Sequence, residues 1–134
     1  MTVAFSADVE VNILAWITGI QMPTPPTAVR FGLLSAEPDH DGANVHELND
    51  FGYGRQTVTF GSITTVGVLS SMKNTNPLIF GPVTATDWAP AVYGAFFSAD
   101  DDSLIAYGPL ASSRTAVVGD TISFGVNSLQ LRCK

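Results

Sequence analysis

The stretch from Trp88 to Leu110 constrains the fold of this chain more than any other. Two runs of apolar and aromatic residues, Ala91–Ser98 and Leu104–Tyr107, flank the polar segment Ala99–Ser103, a pattern that predicts a β-hairpin with a polar turn. Alternate residues of the first run point to opposite faces of a strand, and both sets are largely apolar. Because apolar faces are normally buried, we expect this hairpin at the centre of a sheet, with protein packed on each side.

A short amphipathic helix is predicted near the N-terminus. Ser6 is placed to cap it, and Asp8 and Glu10 fall in its first turn, where the helix dipole favours carboxylates. Apolar residues recur at helical spacing along one face, which predicts that this face docks on a sheet; they are Val9, Ile13, Trp16, Ile17 and Ile20. Val11 and Leu14 widen the apolar arc, so the alternative is a helix that binds a partner.

The remainder of the chain has the pattern of short strands separated by turns. Besides the hairpin, strands are predicted within Ala28–Ser35, Phe51–Phe60, Val66–Ser70, Asn74–Phe80, Leu110–Val118, Thr121–Phe124 and Ser128–Cys133. The last two are expected to pair with each other at the end of the chain. Seven to nine short strands at regular spacing predict an all-β fold, an antiparallel β-sandwich or jelly-roll-like domain with one short N-terminal amphipathic helix.

The length of 134 residues favours a single domain with an apolar core that needs neither disulfides nor a metal. We divide residues 1–134 into an N-terminal arm and helix (1–20), a proline-rich connector (21–27) and the β-sandwich (28–134). The connector holds three of the eight prolines and is expected to be neither helix nor central strand. Cys133 is the one cysteine, so no intrachain disulfide can form.

Composition indicates which partners to expect. Hydrophobic residues make up 46% of the chain and charged residues 13%, so a small fold will struggle to hide its apolar surface and is expected to bury some of it against a partner. Twelve acidic and six basic residues give a net charge of −6, which argues against direct binding to nucleic acid or to an anionic membrane. The N-terminus carries acidic residues where a signal peptide carries basic ones, and its apolar runs are far shorter than the ~20 residues of a spanning helix. We expect synthesis in the cytoplasm, with the protein kept there or released without a secretion signal.

No group of residues predicts catalysis, cofactor binding or metal binding. His40 lies between two aspartates and His46 precedes Glu47, but the spacing matches no zinc motif and fits a solvated loop. The aspartates of Ala99–Ser103 lack the calcium-loop pattern and are expected at a solvated hairpin tip. Tyr53 and Arg55 are interpreted as a structural pair in which Arg55 bonds a carbonyl or a carboxylate. The protein is therefore expected to be non-enzymatic, with no catalytic, cofactor-binding or metal-binding residues and no cofactor.

Five segments in order resemble a family of small virion proteins of tailed bacteriophages. They are LLSAEP (Leu33–Pro38), GYGRQTVTFG (Gly52–Gly61), NTNPLIFGPVTATDW (Asn74–Trp88), YGPL (Tyr107–Leu110) and GDTISF (Gly119–Phe124). The resemblance runs from about Val11 to Leu131 and is closest at Tyr53-x-Arg55-Gln56 and at Asp87-Trp88. Such proteins are often labelled tail fibre protein, and related β-sandwich proteins serve as capsid cement or decoration proteins. The family brings no catalytic residues.

The resemblance implies a virion structural protein, and we expect a capsid cement or decoration protein that binds the outer shell and stabilises the head. The alternative is a tail fibre or tail-tip component that contacts the host receptor. A chain without repeats or heptads favours the capsid surface over the tail. The expected partners are further copies of the chain, with a trimer favoured, and the lattice of the major capsid protein. A carbohydrate-binding module is less favoured, because Trp16 and Trp88 are expected to be buried.

Overall fold

The computed structural model describes residues 3–133, and within that range the chain forms one helix and ten strands. These are β1 (Ala4–Phe5), α1 (Ala7–Ile17), β2 (Val29–Leu34), β3 (Gln56–Val58), β4 (Thr64–Val66), β5 (Leu69–Lys73), β6 (Leu78–Phe80), β7 (Ala91–Ser98), β8 (Leu104–Arg114), β9 (Ile122–Phe124) and β10 (Gln130–Cys133). Every strand pair is antiparallel. The all-β sandwich with one short N-terminal helix is thus confirmed. The assignment of residues 1–134 to one domain stays a prediction.

The predicted hairpin lies inside the largest sheet. This sheet has five strands in the order β1-β8-β7-β2-β3, so both hairpin strands have a neighbour on each side. Phe96 of β7 lies opposite Ala106 of β8 on one side and opposite Phe31 of β2 on the other. Most of β7 is buried. The central position inferred from the two apolar faces of this strand is confirmed.

The main core lies between the five-stranded sheet and two smaller sheets, of order β10-β5-β4 and β6-β9. The fully buried ring of Phe31 lies within this core. Its centroid lies 5.0 Å from that of Phe96 in its own sheet, 6.2 Å from that of Phe80 in β6 and 5.5 Å from that of Phe124 in β9. Aromatic pairs at such separations add attraction beyond the area that they bury. Phe31 therefore links the five-stranded sheet to the sheet of β6 and β9.

A second, smaller cluster covers the opposite face of the five-stranded sheet. Its buried members are Leu34, Ala95, Phe97, Leu104 and Tyr107. Val45, from the loop between β2 and β3, packs against them. Ala95 and Phe97 alternate with Phe96 along β7, so successive residues of this strand enter different clusters. The strand that is apolar on both faces is thus covered on both.

Several predicted strand boundaries are wrong. The single strand around Val66–Ser70 is the turn of a hairpin, β4–β5, with Gly67 at a φ of +61°. Strand β8 continues through Pro109 to Arg114 and pairs there with β7 alone, because β1 pairs only with Ala106 and Tyr107. Beyond Tyr107 it is an edge strand, where proline is tolerated. Phe51–Phe60 yields only the short strand β3.

The two C-terminal strands do not pair with each other as expected. Strand β9 pairs with β6, and β10 pairs with β5, each in a different small sheet. Both pairings join segments about forty or more residues apart and are formed by the tertiary fold. The described chain has ten strands, more than the seven to nine expected, because β1 was not predicted and the strand around Val66–Ser70 is two strands. Local alternation reveals a strand but not its partner.

Candidate interaction surface

Helix α1 does not dock on a sheet, so that prediction is wrong. No residue of the helix is buried. Its large apolar side chains are exposed to solvent: Val11 by 62%, Leu14 by 64%, Trp16 by 61% and Ile17 by 66%, with Ile20 just beyond the helix at 61%. The helix therefore exposes an apolar surface that the rest of the described protein does not cover. Such a surface is what the alternative prediction requires, a helix that binds a partner.

The helix projects because only its start is held by the rest of the protein. The backbone N–H of Ser6 donates to the carbonyl of Ile105 at 2.8 Å, and the N–H of Ala7 donates to the carbonyl of His40 at 2.8 Å. The carboxylate of Glu10 lies 2.8 Å from Nε2 of His40, whose Nδ1 lies 3.1 Å from the hydroxyl of Tyr107. His40, predicted to lie in a solvated loop, therefore joins the first helical turn to strand β8.

Ser6 occupies the predicted N-cap position but does not cap the helix with its side chain. Its backbone is extended, as an N-cap requires, and its side chain makes no capping hydrogen bond. The hydroxyl is buried without a hydrogen-bond partner. The start of the helix is thus fixed by the backbone contacts of Ser6 and Ala7 to strand β8 and to the loop of His40.

The far end of the helix returns to the sheet through the connector. Gly19 closes the helix with a φ of +97°, and its N–H donates to the carbonyl of Trp16 at 3.1 Å. No helix or strand forms in residues 21–27, as predicted. At the end of this segment the N–H of Thr27 donates to the carboxylate of Asp100 at 2.9 Å, in the turn between β7 and β8. We call residues 6–27 the knob, an excursion anchored to the sheet at both ends.

A shallow apolar groove runs along the knob where the helix meets the connector. It is lined by side chains that include Trp16, Ile20, Met22, Pro23 and Pro25. Three of these, Trp16, Ile20 and Met22, are exposed large hydrophobic residues. The apolar surface of the knob therefore continues from the helix onto the connector.

Carboxylates surround the base of the knob. Eight of the twelve acidic residues lie there: Asp8 and Glu10 in the first helical turn, Glu37, Asp39 and Asp41 in the loop of His40, and Asp100, Asp101 and Asp102 in the β7–β8 turn. We call these eight residues the acidic collar. Burial, together with the negative charges of Glu37 and Glu10, raises the pKa of Tyr107, which lies among them. The apolar knob thus rises from a strongly negative end of the protein.

The three consecutive aspartates of the collar make separate contacts within the protein. Asp100 accepts hydrogen bonds from the hydroxyl and the N–H of Thr27, and these lower its pKa. Asp101 accepts from the N–H of Ser103 at 3.1 Å, and Asp102 lies 3.1 Å from Nη1 of Arg55. The turn predicted as a solvated tip is therefore tied to the connector and to Arg55. Among residues 3–133, no three His, Cys, Asp or Glu side chains are grouped so as to hold a metal ion.

Arg55 and Tyr53 converge on Glu47, which confirms the predicted structural pair. Nε and Nη2 of Arg55 each lie 2.8 Å from an oxygen of Glu47, and the hydroxyl of Tyr53 donates to Glu47 Oε1 at 2.7 Å. The N–H of Leu33 in turn donates to the Tyr53 hydroxyl at 3.0 Å. The guanidinium also lies 3.7 Å from the ring centroid of Phe97. These contacts fix the long loop between β2 and β3 against the sheet.

The two tryptophans differ in their environment. Trp88 is 4% exposed, and its indole N–H donates to the carbonyl of Phe51 at 2.9 Å, so the prediction that it is buried is confirmed. Trp16 is on the open helix, so the same prediction is wrong for it. The sequence does hold the signal: Val11 and Leu14 place apolar residues outside the face that contains Trp16.

Two further exposed apolar patches lie elsewhere on the surface. Ile63, Val66 and Val68, at the β4–β5 hairpin, are each more than 70% exposed. Val117 and Val118 lie together in the loop after β8 and are about half exposed. Sequence reasoning missed the hairpin patch because it merged two strands into one. The apolar excess of the composition is thus displayed at several separate places.

Comparison with known proteins places the chain among phage proteins. A family model described as Podophage GP4 fiber I protein gp80 matches residues 4–132, which include the knob and all but the last residue of the three sheets. No curated protein matches the chain. In the described part of the chain, no helix is both long enough and apolar enough to cross a bilayer.

Proposed function

The chain belongs to the podophage GP4 fiber I protein gp80 family, and we propose from this that it is a non-catalytic structural subunit of a phage fibre. The family match over residues 4–132 carries the proposal. A virion structural protein acts by binding its neighbours, and the exposed apolar knob is a surface suited to that role. The fibre alternative is therefore preferred to the capsid cement expected from the sequence.

The energetics of the knob support a role in assembly. Full burial of a large apolar side chain contributes about 1.5–3 kcal/mol, and Leu14, Trp16 and Ile17 are all available for burial. A joint that covers these three side chains would favour assembly by several kcal/mol before the cost of immobilisation. The knob can thus supply a contact that persists in an assembled particle.

A capsid decoration protein is the second candidate. The observation that favours it is the presence of separate exposed apolar patches on the knob, on the β4–β5 hairpin and at Val117–Val118. A clamp that bridges neighbouring shell subunits needs several contact surfaces. On this alternative, the major capsid protein lattice is the partner. For either role we retain a homo-oligomer, with a trimer favoured, as a proposal that sedimentation of the purified chain tests.

Copy number and position in the virion decide between the two candidates. The chain would be quantified in purified particles by mass spectrometry with labelled peptide standards, and located by gold labelling of an epitope-tagged copy. A small number of copies at the tail is expected for a fibre subunit. Hundreds of copies over the head would establish decoration instead. Absence from purified particles would contradict both.

Receptor contact is tested separately. If the fibre subunit contacts the host, the purified chain will compete with phage for adsorption to cells. A chain that leaves adsorption unchanged even at saturating concentration would contradict receptor binding while leaving the structural role intact.

A further inference from the structure

We propose that the knob inserts into an apolar groove with a positively charged rim on a different virion protein, and that this joint holds the chain in the particle. The proposal rests on the proposed function, because both require the chain to be part of the virion. It adds the surface that is used and the chemistry of the partner.

The helix is apolar on nearly every side, which calls for a groove. From Val11 to Ile20 the only polar side chains are those of Asn12 and Thr18. A flat surface covers one face of a helix, whereas a helix that is apolar all round is normally enclosed. The exposed side chains of Leu14, Trp16 and Ile17 lie on different sides of the helix, so one partner covers all three only by surrounding it. This is the helix-in-groove mode of recognition.

Both ends of the knob are fixed by contacts within the protein. Contacts of His40 with Ala7 and Glu10 fix one end, and the bond between Thr27 and Asp100 fixes the other. The prolines of the connector restrict the backbone between them. A rigid element loses little conformational entropy on binding, so more of the burial energy remains as affinity.

The acidic collar determines the kind of partner. Two knobs packed in parallel in one joint would bring their two collars together, and the carboxylates would repel each other. Within the collar, Arg55 pairs with Asp102, while Asp8 and Glu37 have no cation within salt-bridge distance in the described structure. A groove whose rim carries Lys or Arg side chains would complement this charge, and a second knob would not. The occupant is therefore a different protein.

The first test measures incorporation into virions. Phage would be produced with the wild-type chain, with Leu14→Gln/Ile17→Gln, or with the matched control Ile79→Gln/Val126→Gln, at exposed positions outside the knob and outside the other two apolar patches. Glutamine keeps helix propensity and removes apolar surface at side chains that are exposed by 64% and 66%. We expect at least tenfold fewer copies of the helix variant per purified particle and wild-type levels of the control. Equal incorporation of the helix variant would overturn the proposal.

The second test addresses the charged rim. Particles carrying the wild-type chain, the collar variant Asp8→Asn/Glu37→Gln or the control Asp50→Asn/Asp87→Asn would be washed with rising NaCl and the released chain quantified. Asp50 and Asp87 lie outside the collar and accept backbone N–H bonds that asparagine retains. We expect release of the collar variant at lower salt than the wild type and the control. Release of all three at the same salt would overturn the basic rim.

The remaining outcomes separate the inference from the proposed function. If the wild-type chain is absent from particles, the proposed function fails, and the inference fails with it. If the wild type and the helix variant are both present at the same level, only the inference fails. If the purified wild-type chain self-associates in sedimentation and Leu14→Gln/Ile17→Gln abolishes the association, the occupant is a second copy, which also overturns the proposal.

Discussion

At the scale of single residues, Glu47 is the carboxylate on which Tyr53 and Arg55 converge. Its carboxylate is mostly buried, and it accepts from the guanidinium of Arg55 and the hydroxyl of Tyr53. A buried carboxylate is costly unless it is paired and hydrogen-bonded. The Tyr53-x-Arg55 segment is also among those that most closely resemble the phage family. In the structure, both of its named side chains bond the Glu47 carboxylate.

Replacing Arg55 with methionine is expected to destabilise the fold by about 2–4 kcal/mol, because the Glu47 carboxylate loses its charge partner while it stays buried. Urea unfolding of the purified chain would measure the change. Arg30→Met, at an exposed position of β2, is the matched control and is expected to change stability by less than about 0.5 kcal/mol. Equal losses for the two variants would contradict a special role for the Glu47 pairing.

Tyr53 predicts how stability depends on alkaline pH. Burial, and then the hydrogen bond to Glu47, raise the pKa of Tyr53 well above its ordinary value. Because the folded state holds this proton more tightly than the unfolded state, the stabilisation is complete below about pH 10 and is lost as the pH rises above it. The free energy of unfolding should therefore fall above this pH, and less steeply in Tyr53→Phe.

Phenolate absorbance gives a direct reading of the same prediction. The Tyr53 hydroxyl should ionise only as the protein unfolds, so Tyr53→Phe should remove the latest of the three tyrosine steps. Tyr93→Phe is the control: Tyr93 is likewise half-buried but does not bond Glu47, so this variant should remove an earlier step. Loss of an early step in Tyr53→Phe would show that Tyr53 is not held by Glu47.

At the scale of elements, the contacts at the start of α1 determine where the helix lies, although its amphipathic pattern predicts docking on a sheet. Strand β1 pairs with β8 at Ala4 and Phe5, and the first helical turn is then held by His40. Because the helix leaves the sheet from this fixed start, its apolar face has no strand beneath it. The hairpin β7–β8 behaves in the opposite way, since strands on both sides enclose it.

Fluorescence quenching by acrylamide tests the exposure of α1. The chain has two tryptophans, and only Trp16 is exposed to solvent, so Trp16→Phe should remove most of the quenching. The same change should alter stability by less than about 0.5 kcal/mol, because the side chain lies outside the core. Trp88→Phe is the contrasting variant, which should keep the quenching and lose stability. Strong quenching that survives Trp16→Phe would contradict the projecting helix.

At the scale of the whole molecule, the sandwich is held by one aromatic cluster that spans its layers. Phe31 contacts rings from β6, β7 and β9, so the large sheet and the smaller sheet of β6 and β9 share a core. The knob lies outside this core. The body and the knob therefore depend on different side chains, and variants of the knob can test binding without disturbing the fold.

Phe31→Ala is expected to cost about 3–5 kcal/mol, through lost burial and a cavity between the layers. Such a loss is a large share of the stability of a domain of this size. Chemical denaturation followed by far- and near-ultraviolet circular dichroism would measure it, and the two signals should change together if the layers unfold as one unit. Ile79→Ala, at a position of β6 that is 55% exposed, is the control and should cost less than about 1 kcal/mol. Similar losses for both variants would contradict the central role of Phe31.

The sequence by itself determined the all-β class, the position of the β7–β8 hairpin and the structural role of Tyr53 and Arg55, while it left open whether Arg55 bonds a carbonyl or a carboxylate. These features depend on local sequence. Apolar residues on both faces of β7 predict that both faces are covered. The guanidinium of an arginine in a turn-rich segment donates hydrogen bonds to nearby acceptors. The sequence also predicted that the proline-rich connector forms neither helix nor central strand, because proline restricts its own backbone.

Only the tertiary structure decided which strands pair and whether the helix docks on the sheet. Strands β9 and β10 alternate as predicted, yet each finds a distant partner, since alternation carries no information about the strand opposite. The apolar arc of α1 predicted that the helix would dock on the sheet, but the contacts of Ser6 and Ala7 hold it where the protein's own sheet does not cover it. Such choices depend on contacts between residues far apart in the chain, which a local pattern does not encode.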